Sequence, residues 1–148
     1  MRMSHVLGLV AALAAAAPIA GCREPKTPAQ SIAELRSPDA EQRRRAADDL
    51  RTDAGVAPEA IQPLLQAAAA EQTPNVLGAM LITLGRSGVP EAKPLIDKQI
   101  PSTDKDMRRW AGRALKYWMI KTGQLDKDYK FPDGWPYGTP GFPAKLPD

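Results

Sequence analysis

One pattern limits the fold more than any other: a helical stretch that recurs, together with its partner, every 31 to 34 residues. Arg43-x-x-Ala46-x-x-x-Leu50 lies over Leu77-x-x-Met80-x-x-x-Leu84 and over Arg108-x-x-Ala111-x-x-x-Leu115. The segments between them match too. Gly55-Val56 leads into Pro58-Glu59-Ala60 and then Pro63-Leu64-Leu65, while Gly88-Val89 leads into Pro90-Glu91-Ala92 and then Pro94-Leu95-Ile96. A period of this length belongs to stacked helix pairs, in which no unit buries its own apolar face and each must lean on a neighbour.

Local signals place the helices. Thr27-Pro28, Ser37-Pro38 and Thr73-Pro74 each read as an N-cap with Pro at the first helical position. The expected helices run from Pro28 to Arg36, Ser37 to about Arg51, Pro58 to about Ala69, Thr73 to about Gly85, Pro90 to about Ile100 and Asp104 to Lys121. Their expected core positions, at helical spacing, are Ala29, Ile32 and Leu35, then Ala40, Ala46, Ala47 and Leu50. Ile61, Leu64, Leu65, Ala68 and Ala69 follow, then Val76, Leu77, Met80, Leu81 and Leu84, and in the last helix Met107, Ala111, Ala114, Leu115 and Trp118. No segment sustains period-two alternation. The expectation is an all-α fold, a short α-solenoid of helix pairs over residues 28–122 with an irregular Pro/aromatic tail over residues 123–148.

On these residues the chain resembles HEAT repeats, particularly the short bacterial type also found in phycobilisome lyase-like proteins. The likeness covers two full pairs and a third leading helix, roughly Ser37 to Thr122, with Pro28 to Arg36 as the second helix of a truncated leading repeat. It implies a protein-binding surface on the second helices, here Gln62, Gln66, Lys93, Asp97 and Lys98; it implies no bilin chemistry. Members of that family place an Asp six residues before the helix Arg, and the two form a ladder between repeats. This chain has Ser37 before Arg43, Ser102 before Arg108, and Glu71 before Leu77. The ladder is expected to fail at its centre, leaving apolar packing through Leu77 to hold the middle pair.

The start of the chain has a different character. Arg2 precedes an apolar run from Val6 to Ala20, shorter than the roughly 20 residues a helix needs to cross a bilayer, and Ile19-Ala20-Gly21-Cys22 follows. This reads as a secretory signal with small residues at the cut. It resembles the lipobox of bacterial lipoproteins, in which the signal is removed between the residues standing here as Gly21 and Cys22. The cysteine then carries diacylglycerol and its new amine is usually acylated. The expected division is a signal peptide over residues 1–21, a lipidated tether over 22–27, the repeats over 28–122 and the tail. The plainer reading is an ordinary signal with a chance cysteine. Arg23, rather than Asp, follows the cysteine; this resembles lipoproteins sent to the outer membrane, facing the periplasm.

What remains after residue 21 is 127 residues, with side chains summing to +2. That balance gives no reason to expect nucleic acid. Cys22 is the sole cysteine and His5, inside the expected signal, the sole histidine. The mature chain would therefore lack the commonest general base, thiol nucleophile and transition-metal ligands. Nor is there a phosphate loop or nucleophile elbow. We expect no catalytic residue, cofactor, metal or small-molecule substrate. Arg43-Arg44-Arg45 opposite Asp48-Asp49 reads as a solvated face with i,i+4 pairs. Arg109, Arg113 and Lys116 share one side of the last helix, as a solvated face or as a contact for anionic lipid or an acidic partner. All eight aromatic residues lie between Trp110 and Phe142. In the tail Phe131, Trp135, Tyr137 and Phe142 either fold back on Trp110, Tyr117 and Trp118 as a cap for the exposed end of the repeats, or present a Pro-aromatic surface, with Trp135 and Tyr137, for glycan or a partner protein. The functional expectation is a lipid-anchored, non-catalytic scaffold binding an envelope protein. The alternatives are a pilot-like lipoprotein escorting an assembly component, and an enzyme using carboxylates.

Overall fold

A computed structural model describes residues 26–52 and 55–128. Six helices and one small hairpin stand in this part: α1 (Pro28–Glu34), α2 (Ala40–Asp49), β1 (Arg51–Thr52), β2 (Gly55–Val56), α3 (Pro58–Ala70), α4 (Pro74–Ser87), α5 (Ala92–Gln99) and α6 (Lys105–Lys121). The fold is an all-α solenoid of short helix pairs. Helices α2, α4 and α6 stack in one layer and α1, α3 and α5 in the other, each second helix leaning on the first helix of the following pair. Strands β1 and β2 pair antiparallel, Arg51 with Val56 and Thr52 with Gly55, with β2 beside α4 and β1 beside α2. A two-residue strand is too short for a period-two signal, which is why none was expected.

The helix ends follow their capping chemistry. Thr27 and Gln30 form the reciprocal capping box of α1, the Gln30 N–H donating to Thr27 Oγ1 while Gln30 Oε1 accepts from the Thr27 N–H. Asp39, not Ser37, caps α2 by accepting from the Glu41 N–H at 2.9 Å; Ser37 Oγ instead accepts from the Asp39 N–H. Helix α5 begins at Ala92, two residues after Pro90. Gly88 ends α4 in the left-handed region at φ 71°, where a Cβ would be strained.

Helix α4 is the spine. Val76, Gly78 and every residue from Ala79 to Gly85 are buried, because α2 and α6 flank this helix while α3 and α5 lie over it. A helix enclosed this way is apolar all round, so the expected stripe was only part of its buried surface, and Leu77 is its half-buried edge. Two glycines set the distance to α6. A Cβ on Gly78 would stand 2.5 Å from the Trp110 ring, and one on Gly85 would stand 2.2 Å from the Ala114 carbonyl oxygen. The α4–α6 contact is the most extensive between any two helices. Buried Thr83 joins α4 to α2 by donating to the Ala47 carbonyl at 2.8 Å.

Elsewhere the core agrees with the helical spacing, with local corrections. Met107, Ala111, Ala114, Leu115 and Trp118 are all buried, as expected. In α1 Ser31 is buried, as is Leu35 at its C-cap, while Ala29 is exposed and Ile32 half-buried. In α3 Ala60, Leu64 and Ala68 are buried, whereas Ala69 points to solvent. The inward face of α3 has turned one position, toward the small residues that let α4 approach.

Candidate functional site

The sequence pointed to the ladder as the weakest part of the repeat, and the structure corrects this. Arg43 is not a member of a solvated face. Its Nε donates to Glu71 Oε2 at 2.7 Å and its Nη2 to Glu71 Oε1 at 3.1 Å, across 28 residues of chain. Nη1 holds the turn before its own helix through the carbonyls of Ser37 and Pro38. Arg108 repeats the second half of this pattern, donating to the carbonyls of Ser102 and Thr103 at 2.8 and 2.9 Å. Glu71 occupies the acidic ladder position of the middle repeat, so the rung from the first pair to the second is intact. The sequence signal was Glu71 itself, six residues before Leu77.

Glu71 also stabilises the start of α4. Its carboxylate accepts from the N–H groups of Gln72 and Thr73, at 3.0 and 2.8 Å. The Thr73 side chain does not cap that helix; it accepts from Arg43. Burial alone would raise the Glu71 pKa. The hydrogen bonds from Arg43 and from Thr73, with the charge of Arg43, outweigh burial and bring the pKa down to about 2.

Beside this ion pair the α1–α2 and α3–α4 turns enclose a groove of about 480 Å³. Leu35, Pro63, Ala67 and Ala70 give it an apolar floor, and Arg36, Gln66 and Gln72 supply polar groups at its rim. Of the residues expected on the second helices, Gln66 lines this groove, while Gln62 is exposed on the same helix and is not among its lining residues. Lys93 and Asp97 bind each other at 2.6 Å on α5. Lys93 Nζ also sits 5.7 Å from the centre of the Trp118 ring, a cation–π distance that holds it against the helix stack. Lys98 is exposed on α5. The expected face thus divides into a groove at one end and a self-neutralised pair at the other.

The second expected surface is the outer side of α6. Arg109 and Arg113 are exposed and, with Asp106 and half-buried Trp110, line a concavity of about 360 Å³. Arg109 approaches Asp106 at 3.3 Å, and Lys116 is half-buried two turns further along. At the opposite end of the stack the arginines of α2 are matched by acids. Arg44 joins Glu41 and Asp48, Arg45 joins Glu41, and Arg51 joins Asp48. Hydrogen bonds from Arg44, then Arg45, hold the Glu41 carboxyl down at about 2. Gly21, Cys22, Trp135 and Tyr137, with Phe131 and Phe142, lie outside the described residues.

Among the described residues no three His, Cys, Asp or Glu side chains gather where they could hold a metal ion, and no helix is long and apolar enough to cross a membrane. Residues 29–116 match the family described as HEAT repeats, well over half of the chain. No curated protein and no solved structure matches the sequence.

Proposed function

The chain belongs to the HEAT-repeat family, and from that premise we propose that it is a non-catalytic scaffold of the bacterial envelope, held to a membrane by lipid on Cys22. The repeats themselves support an interaction scaffold. The observation that carries the proposal furthest is the groove beside the Arg43–Glu71 pair. It is built on two turns locked to each other by that pair, has an apolar floor with amides at its rim, and is large enough for a side chain or two of a bound segment. Interfaces concentrate their energy in such preformed pockets with an apolar centre and a polar rim.

The anchor rests on the lipobox at Ile19–Cys22 and on the short tether. Residues 22–27, fully extended, reach about 20 Å, which keeps the repeats close to the bilayer. Two or three acyl chains make such residence long-lived, at about 0.8 kcal/mol for each buried CH₂. Arg23 after the cysteine favours the outer membrane, with the repeats facing the periplasm.

A photo-crosslinking residue at Gln66, and a second at Gln62 outside the groove, test the scaffold in living cells. The expected result is one protein crosslinked from position 66, absent from position 62 and lost on Arg36→Glu. A pilot would instead show a client captured only while that client is being assembled. Equal, non-selective crosslinking from both positions would overturn the groove as the binding surface.

A further inference from the structure

The ladder of this chain has gaps, and the gaps come in pairs. The acidic position of each repeat holds Ser37, Glu71 and Ser102, at spacings of 34 and 31, and the arginine position six residues later holds Arg43, Leu77 and Arg108. A rung joins the arginine position of one repeat to the acidic position of the next. The first rung has both charges, Arg43 and Glu71. The second would join Leu77 to Ser102 and has neither. No charge is stranded between these repeats, in keeping with the cost of a buried charge that lacks its partner. Arg108 begins a third rung, and one more spacing of 31 from Ser102 falls on Asp133.

The setting of Arg108 copies that of Arg43. In each, Nη1 donates to two carbonyls of the preceding turn, those of Ser37 and Pro38 for Arg43 and of Ser102 and Thr103 for Arg108. A planar guanidinium held this way turns its other edge toward the following repeat, the edge with which Arg43 grips Glu71. Arg108 is engaged beyond these two carbonyls, and the repeat says which acid belongs there. The sequence around the acid also recurs. Glu71 precedes Gln72 and Thr73, whose N–H groups donate to its carboxylate, and then Pro74. Asp133 precedes Gly134, Trp135 and Pro136 in the same order.

We propose that Asp133, in the chain's own C-terminal segment, is the acid of this third rung, so that the segment returns along α6 and closes the stack at Arg108. Asp133 itself lies outside the described residues. Distance allows the contact only for an extended chain. The Leu125 N–H is bonded to the Met119 carbonyl, and Met119 lies 11 residues of helix beyond Arg108, about 17 Å. The eight residues from Leu125 to Asp133 span at most about 26–29 Å when extended, but only about 12 Å as a helix. The surplus leaves room for the turn at Asp126, whose carboxylate accepts from the Asp128 N–H at 2.8 Å. Pro132 biases Phe131 toward the extended form. The α6 end of the stack is then occupied within the chain, and the groove beside the first rung remains for a partner.

A double-mutant cycle in the full chain, purified as cells make it, tests the rung by urea unfolding. Arg108→Gln and Asp133→Asn should each lower the folding constant about tenfold. The double variant should lose little more than either alone, a coupling of about tenfold. Asp148→Asn, which removes another carboxylate of the same segment, should leave folding unchanged and show no coupling to Arg108. Trypsin cleavage after Lys130, read by mass, should be severalfold faster in Arg108→Gln and in Asp133→Asn, and as slow as the parent's in Arg109→Gln. Additive losses in the cycle would overturn the proposal, as would coupling of Arg108 to Asp148 in place of Asp133, or cleavage indifferent to Arg108. Coupling that grows with protein concentration would put Asp133 on a second copy and overturn closure within one chain.

Discussion

Removing either member of the Arg43–Glu71 rung should cost far more than a surface ion pair, and the cost should fade in acid. The Glu71 side chain is 6 % exposed and that of Arg43 17 %, so the pair is only weakly screened by solvent. The Glu71 pKa falls from an ordinary 4.5 to about 2. At about 1.4 kcal/mol for each unit, that corresponds to roughly 3 kcal/mol of folding stability near neutral pH. The sign follows from the depressed pKa. The contribution is complete above pH 4.5, where both folded and unfolded chains are ionised, and is lost as pH falls from about 4.5 to about 2. Glu71→Gln should therefore lose about 2–3 kcal/mol at neutral pH by urea unfolding, and its deficit against the parent should shrink at pH about 3. Arg43→Leu, which strands a buried carboxylate, should lose about 3–5 kcal/mol. The double variant Arg43→Leu/Glu71→Gln should lose clearly less than the sum, a coupling of about 2 kcal/mol. Additive losses, or a deficit independent of pH, would refute the rung.

Three further outcomes test the packing. Gly85→Ala should destabilise by about 1–3 kcal/mol or more, since the added carbon meets the Ala114 carbonyl at 2.2 Å and backbone cannot yield as a side chain would; its better helix propensity recovers only about 1 kcal/mol. Thr83→Val should cost about 1–3 kcal/mol by stranding the Ala47 carbonyl, whereas Ser31→Ala, whose buried hydroxyl has no partner among the described residues, should be neutral or slightly stabilising; thermal unfolding distinguishes them. Past α6, Gly123 has a positive φ and the Gln124 and Leu125 N–H groups donate to the Met119 carbonyl; the tail beyond lies outside the described residues, and its aromatic sequence is what leads us to expect a cap. Trp135→Ala in the full chain should then lower stability by roughly 3–5 kcal/mol, and unchanged melting with loss of a bound partner would favour the tail as a binding surface.

How much of this was legible in the sequence varied by feature. The stripe Met107–Trp118 and the Pro-marked helix starts could be read because spacing and capping are local. The full burial of α4 could not. Gly78 and Gly85 look like weak helix residues until another helix lies against them. The β1–β2 hairpin is too short to leave a pattern. The Arg43–Glu71 rung was half visible: Glu71 occupied the expected acidic position, but which arginine would reach it depended on how the layers stack. Lys93 and Asp97 were legible as an i,i+4 pair on one helix, whereas the Trp118 ring beside Lys93 becomes evident only once α5 lies on α6. Cys22, Trp135 and Tyr137 lie outside the described residues, so their roles continue to rest on the sequence alone.

The membrane-tethered scaffold is tested most directly by the intact mass of the chain recovered from the envelope fraction. The expected species begins at Cys22, lacks residues 1–21 and carries diacylglycerol with an acylated amine, and Cys22→Ser should remove it from the membrane. A mature chain that begins at any other residue, or one found in the soluble fraction without lipid, would contradict the anchor and with it the proposed place of the repeats at the bilayer.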